Sequence, residues 1–312
     1  MVTLSVVIPA TNQPPTLGRA VVAVERAASA PEEVIVIDGP ENLGPAAARN
    51  LGAERASGDV LVFVDADVEV HDDVFSRIRA AFDGDGGLTA VFGAYDDDPG
   101  AEGLISDFRN LLHHYVHTAG AGEATTFWAG LGAMRRDAFL LAGGFDDERF
   151  PNASIEDIEL GARLYQDGAR IVLDPTIQGK HLKRWTLWRM VDTDLRRRGV
   201  PWLRMMLDDG SPSSALNLGW RHRVSTGASL LSLAALARRN VRLGAGAFAL
   251  VLVLEGDFYR FLLRRRGPRL LVAGVPLHLI HRLISVASVP IAISGHLLAR
   301  HKRRRGGDPR AD

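Results

Sequence analysis

The chain is 312 residues long and 46% hydrophobic, enough for a sizeable core and for more than one domain. It contains no cysteine, which excludes disulfides, thiolate zinc sites and a cysteine nucleophile. The zero net charge hides a split: residues 1–175 carry 29 Asp and Glu against 12 Lys and Arg, whereas residues 176–312 carry 8 against 25. Two functional regions are therefore expected, an acidic one suited to holding a metal beside phosphates and a basic, apolar one suited to an anionic membrane surface.

The run Leu4–Ile8 is too short for a signal-peptide core and has no basic lead. It reads as a first strand closed by Pro9. A helix is expected from about Thr16 to Ser29, with Leu17, Val21, Val24 and Ala28 on one face. Val34–Ile37 follows as a second strand ending in Asp38, and a small-residue helix runs from Ala46 to Ala56 behind Pro45. Val60–Val64 is continuously apolar, as a central strand buried on both faces should be, and it ends abruptly in Asp65-Ala66-Asp67. Alternating strands and helices predict an α/β fold with a mostly parallel central sheet. Ligands of such sheets bind at the carboxyl ends of the strands, and Pro9, Asp38, Asp65 and Asp67 share that edge. Two carboxylates two residues apart point to one side of an extended chain, where a divalent cation with oxygen ligands would neutralise them. The alternative is a solvated turn at the strand end.

Farther along, Asp96–Asp98 before Pro99 reads as a solvated loop. Ser154 is an expected N-cap, with Glu156, Asp157 and Glu159 complementing the dipole of the helix behind it. Arg170–Leu173 is strand-like and precedes a Pro175 turn. The segment from about 183 to 208 interleaves Trp185, Trp188 and Trp202 with arginines, as an interface helix does. No groove-reading motif accompanies it, so nucleic acid is not an expected partner. Beyond residue 222 come apolar stretches bracketed by basic clusters. Gly244–Leu254 is too short to span alone, and Leu270–Leu298 carries one formal charge, Arg282. Arginines at both ends of that stretch suggest that both ends face the cytoplasm, as in a re-entrant hairpin or in-plane helices; a buried helical bundle docked on the N-terminal region is the alternative.

The order of the N-terminal motifs resembles that of family 2 glycosyltransferases, which are nucleotide-sugar-dependent enzymes of the GT-A fold. The motifs are Ser5-Val-Val-Ile-Pro9-Ala-Thr11-Asn12, Glu33-Val-Ile-Val-Ile-Asp38, Asn42-Leu-Gly44 with Ala48-Arg49-Asn50, and Gly58 through Asp65-Ala-Asp67. Gly143-Gly-Phe-Asp146-Asp-Glu148, Glu156-Asp157 and Leu173-Asp-Pro175 before His181 continue the pattern, which covers roughly residues 3–200. Two departures, Thr11 in place of an aromatic and a single Asp38 before Gly39-Pro40, leave uracil and guanine donors both open.

The resemblance implies roles for single residues. Pro9, Thr11, Asn12, Asp38, Asn42, Arg49 and Asp65 would hold the nucleotide donor, and Asp67, His181 and Asp65 would hold Mn²⁺ or Mg²⁺. Asp157, beside Glu156, would be the base that deprotonates the acceptor hydroxyl, and one base without an enzyme nucleophile implies inversion. From its own residues, Phe127–Gly132 reads as an acceptor-side wall, with Trp128 placed to stack on a sugar and glycines such as Gly130 allowing close approach; a tight core strand is the alternative. Arg184 and Trp185 match the end of the Gln-x-x-Arg-Trp motif of processive synthases, but His181 replaces the glutamine, which favours single transfer. The expected organisation is a GT-A domain over 1–222, a membrane-associated helical region over 223–305 and a disordered tail over 306–312. The expected activity is inverting sugar transfer to a lipid-linked or membrane-proximal glycan acceptor on the cytoplasmic face of the membrane. A non-catalytic scaffold with the same fold and a sugar nucleotidyltransferase are the alternatives.

Overall fold

The computed structural model describes residues 1–209 and 219–305, so the tail expected over 306–312 lies outside the described residues. The chain divides into two compact units, Met1–Trp185 and Thr186–Asp312.

The first unit is built on one eight-stranded sheet. Its strands are β1 (Leu4–Pro9), β2 (Glu33–Ile37), β3 (Val60–Val64), β4 (Val68–Val70), β5 (Leu88–Tyr95), β6 (Gly122–Ala124), β7 (Leu131–Arg135) and β8 (Arg170–His181). The order is β2-β1-β3-β7-β5-β8-β4, with β6 paired to β8. β1 pairs in parallel with β2 and β3, β7 runs antiparallel between β3 and β5, and β8 is parallel to β5. Thus β1, β2, β3, β5 and β8 all point one way, and their carboxyl ends share an edge.

β3 is buried at every residue, as its unbroken apolar run predicted. Val60, Val62 and Val64 join Val6, Ile8, Val68, Phe75 and Val91 in one core layer. Phe63, on the other face, meets Phe127, Phe139 and Phe145 at ring separations of 5.3–6.4 Å. The helices of this unit include α1 (Leu17–Arg26), α2 (Pro45–Arg55), α3 (Val74–Gly84), α4 (Leu104–Ala119), α5 (Arg136–Leu141) and α6 (Glu156–Gln166). Pro45 occupies the first turn of α2, where its missing N–H costs nothing.

Two local expectations are corrected. α6 starts at Glu156 with Ile155 at the N-cap position; the Ser154 backbone N–H instead donates to Glu156 Oε2 at 2.9 Å. Asp96 is not solvated: it is 5% exposed and bonded to His71 Nε2 at 2.9 Å, while Asn110 Nδ2 donates to its backbone carbonyl.

The second unit is helical: α7 (Leu187–Asp192), a π-helical stretch Thr193–Gly199, α8 (Val200–Asp209), α9 (Trp220–Ala237), α10 (Val241–Leu254) and α11 (Gly256–Arg305). α11 is broken at Gly267, whose φ of 77° is left-handed, and Pro268 then opens its second part. Arg282 is buried; its Nη2 donates to Glu255 Oε1 and to His222 Nδ1, each at 2.7 Å. The span Gly256–His301 is long and apolar enough to cross a membrane. Much of this unit's surface is apolar: Trp188, Trp220, Val253 and Val272 are 70–75% exposed.

Candidate functional site

The expected site residues gather at the carboxyl edge of the sheet. β3 delivers Asp65, whose backbone N–H donates to the Gly130 carbonyl at 3.0 Å. A turn closed by the Val68 N–H on the Asp65 carbonyl leads into β4. Asp67 is pinned from the other side, because the Leu182 N–H donates to its carbonyl at 2.8 Å. The pairing of Val68 with His181 then places the last residue of β8 beside Asp67. His181 Nε2 lies 3.7 Å from Asp67 Oδ2, beyond hydrogen-bond reach, and Lys183 Nζ lies at 4.0 Å.

Arg49 organises the other half of the site. From α2 its Nη2 donates to Asp65 Oδ1 at 2.7 Å and its Nη1 to Glu156 Oε1 at 3.0 Å. The guanidinium is buried, and despite that burial the flanking carboxylates of Asp65, Glu156 and Asp157 hold its pKa above the ordinary value. Arg49 thus joins the strand-end aspartate to the acidic start of α6, reaching a residue 107 positions from itself in sequence. Asp157 follows Glu156, and its Oδ2 accepts from the Ala129 N–H at 3.1 Å, tying it to the loop that was expected to form the acceptor wall. Glycines let that loop fold and pack on α6: a Cβ at Gly130 would stand 2.4 Å from the Trp128 indole, and one at Gly161 of α6 would meet the Phe127 N at 2.1 Å.

The two aspartates are tuned in opposite directions. Burial raises the Asp65 carboxyl above its ordinary range, against the pull of Arg49 and with the help of the Asp67 charge. Burial also acts to raise Asp67, but His181 and the Lys183 ammonium outweigh it and hold that carboxyl below its ordinary value. Asp67 therefore stays ionised, the state in which a carboxylate binds a cation.

The other expected residues fall as follows. Pro9 ends β1, and Thr11 Oγ1 donates to the Leu43 carbonyl at 2.5 Å, drawing the loops after β1 and before α2 together. Asn12, Asp38 and Asn42 are exposed at the same edge. Trp128 is half-buried, and Arg184 is exposed. Trp185, expected on the acceptor side, is 8% exposed; its backbone N–H donates to Ser106 Oγ, with the Arg109 and Lys183 cations 5.3 and 5.0 Å from its ring centroid. Sequence reasoning missed Tyr95, whose ring stacks on His181, and Lys183 beside Asp67. A lone aromatic closing an apolar strand and one lysine in a basic run carry no distinguishing signal. Among the described residues, no three His, Cys, Asp or Glu side chains converge as a ready-made metal cage.

Residues 22–140 match the family described as Glycosyl transferase family 2. With the sheet described above, Met1–Trp185 has the GT-A fold, and residues 22–140 within it resemble family 2 glycosyltransferases. The chain is similar in structure to a mannosyltransferase of Pyrobaculum calidifontis solved with GDP-Man and Mn²⁺, with a TM-score of 0.53 and 15% identity over 95% of this chain and 87% of that one. It is also matched with GalNAc-T7 solved with UDP, GalNAc and Mn²⁺, at a TM-score of 0.48 and 18% identity over 66% and 48% of the two chains. A mycobacterial protein follows at 0.46 and 17% over 68% and 76%. No curated protein matches the sequence.

Proposed function

We propose that this chain transfers one sugar, with inversion, from a nucleoside-diphosphate sugar to a lipid-linked or membrane-proximal acceptor at the cytoplasmic face of a membrane. The observation that carries the reading is the Arg49 bridge, which joins Asp65 of the donor edge to Glu156 at the base-bearing turn. In this reading Asn12, Asp38, Asn42 and Thr11 line the nucleoside side of the edge, and Asp65 orients the ribose through its remaining oxygen. Asp157, next to Glu156, takes the proton of the attacking hydroxyl. Such general-base work contributes roughly 10²–10⁴-fold. Trp128 and Gly130 shape the acceptor side.

A divalent cation suits the donor set. Asp67 offers an ionised oxygen and His181 an imidazole nitrogen, and two protein ligands leave positions for the diphosphate oxygens of a substrate. Mn²⁺ accepts imidazole more readily than Mg²⁺ does. Bound there, it would act as the Lewis acid that stabilises the leaving diphosphate. Residues 1–222 form the catalytic part in this reading, and the helices of 223–305 hold it at an anionic membrane surface. The exposed apolar side chains of those helices and the Gly256–His301 span support the membrane part.

The test is a thermal-shift screen of nucleotide sugars with Mn²⁺ on the full chain in detergent. A donor that binds only the folded state raises its apparent stability. One nucleotide sugar should raise the melting temperature in the presence of Mn²⁺, and Asp67→Ala should remove the metal-dependent part. A wild-type protein stabilised by no nucleotide sugar would favour the scaffold reading.

A further inference from the structure

We infer that Tyr95 is a positioning residue for the metal: its ring sets the plane of the His181 imidazole so that Nε2 is presented to Asp67. This rests on the proposal that His181 and Asp67 hold the cation. Tyr95 and His181 are carried by neighbouring parallel strands in a register that pairs Tyr95 with Gly179, so His181 lies two residues beyond on the same face. The two rings are 4.0 Å apart at an interplanar angle of 9°, a face-to-face contact. The Gly100 N–H donates to the His181 carbonyl at 2.9 Å and fixes the backbone at that point, but no backbone bond fixes the ring.

The ring needs fixing because χ2 of a histidine is a broad, roughly two-fold torsion with no sharp staggered minimum. With Nε2 3.7 Å from Asp67 Oδ2, the carboxylate holds the imidazole too loosely to select one orientation. A flat ring against its face supplies that selection. Tyr95 is itself immobilised: the Trp128 indole stands edge-on at 4.9 Å and 86°, and the His113 ring packs at 4.3 Å. Tyr95 is 9% exposed, so the stack is shielded from water. The same stack gives Trp128 a mechanical link to the metal side, from the acceptor wall through Tyr95 to His181.

The experiment measures Mn²⁺ affinity directly, by the loss of the free Mn²⁺ electron-paramagnetic-resonance signal, on the full chain in detergent with GDP and, separately, UDP. Tyr95→Leu and Tyr95→Met fill the space without a planar face, Tyr95→Phe keeps the face, and His181→Ala removes the ligand. Groups that orient metal ligands are worth 10–100-fold in affinity. The expected result is Mn²⁺ binding weakened roughly 10-fold in Leu and Met, retained in Phe, and weakened at least as much in His181→Ala. Melting curves identify variants that remain folded, and Met stands in if Leu does not fold. If folded Leu or Met variants bind Mn²⁺ like the wild type while His181→Ala is weakened, Tyr95 is only core packing and the inference is overturned alone. If His181→Ala also binds Mn²⁺ normally, the metal assignment falls and takes the inference with it.

Discussion

The two units solve opposite problems with similar proportions of apolar residues. In Met1–Trp185 the apolar runs disappear inside the sheet layers, and among the described residues only six large hydrophobic side chains are exposed. Among the described residues of Thr186–Asp312 twenty-one are exposed, spread over α7 to α11. Charge is distributed the other way round: the first unit half-buries carboxylates at its strand ends and sets the Arg49 and Lys183 cations beside them, whereas the second displays arginines beside exposed leucines. An inward-facing acidic edge is suited to chemistry on phosphates, and an outward-facing apolar and basic surface is suited to a membrane.

The comparison breaks most directly at Asp157. Asp157→Asn keeps the side-chain shape and removes the charge. Turnover should fall by roughly 10²–10⁴-fold while donor binding persists. Retained turnover together with a lower melting temperature would make Asp157 part of the scaffold of α6 and leave the first unit without an assigned base.

Arg49 is the next largest effect. Arg49→Met leaves Asp65 and Glu156 facing each other with no cation, and removing one partner of a buried pair costs about 3–5 kcal/mol. Denaturant unfolding should show a loss of that order, with nucleotide binding weakened as well. A loss under about 1 kcal/mol, typical of exposed pairs, would show that solvent already screens the two carboxylates.

The second unit is tested by sedimentation with lipid vesicles. Each basic residue near an anionic surface contributes about 1 kcal/mol, and apolar burial adds a part that salt does not screen. The full chain should pellet with anionic vesicles at low salt, be only partly released at high salt, and bind neutral vesicles less. A chain that stays soluble and monomeric without detergent and ignores both kinds of vesicle would make the exposed leucines a protein interface.

The smallest effect sharpens the view of the first unit. The hydrogen bond to Asp96 raises the His71 pKa above 6.5, with burial acting against it and the Asp96 charge adding to the rise. A raised folded-state value means the contribution is complete below pH 6.5 and is lost as pH climbs through the folded pKa. His71→Gln should therefore flatten the stability profile just above pH 6.5 and change little near pH 8. An unchanged profile in that window would show that the pair does not couple to folding.

The strand runs at Leu4–Pro9 and Val60–Val64 were legible because a central parallel strand must be apolar at every position, a local demand that leaves a local pattern. The Asp65-Ala66-Asp67 turn was legible for a related reason, since carboxylates at the end of such a run need a partner. The alternation of strands and helices was enough to place Pro9, Asp38, Asp65 and Asp67 on one edge. Helix ends are less legible: Ser154 has the residue type of a cap, but type alone does not say which oxygen reaches which N–H, and here the Ser154 N–H reaches Glu156. Tertiary structure decided what depends on distant partners: β7 threading antiparallel between β3 and β5, Arg49 reaching Glu156, Trp185 turning under Arg109, and Tyr95 lying flat on His181. None of these leaves a periodic trace, because each depends on two segments meeting in space and on the register of the sheet that brings them there.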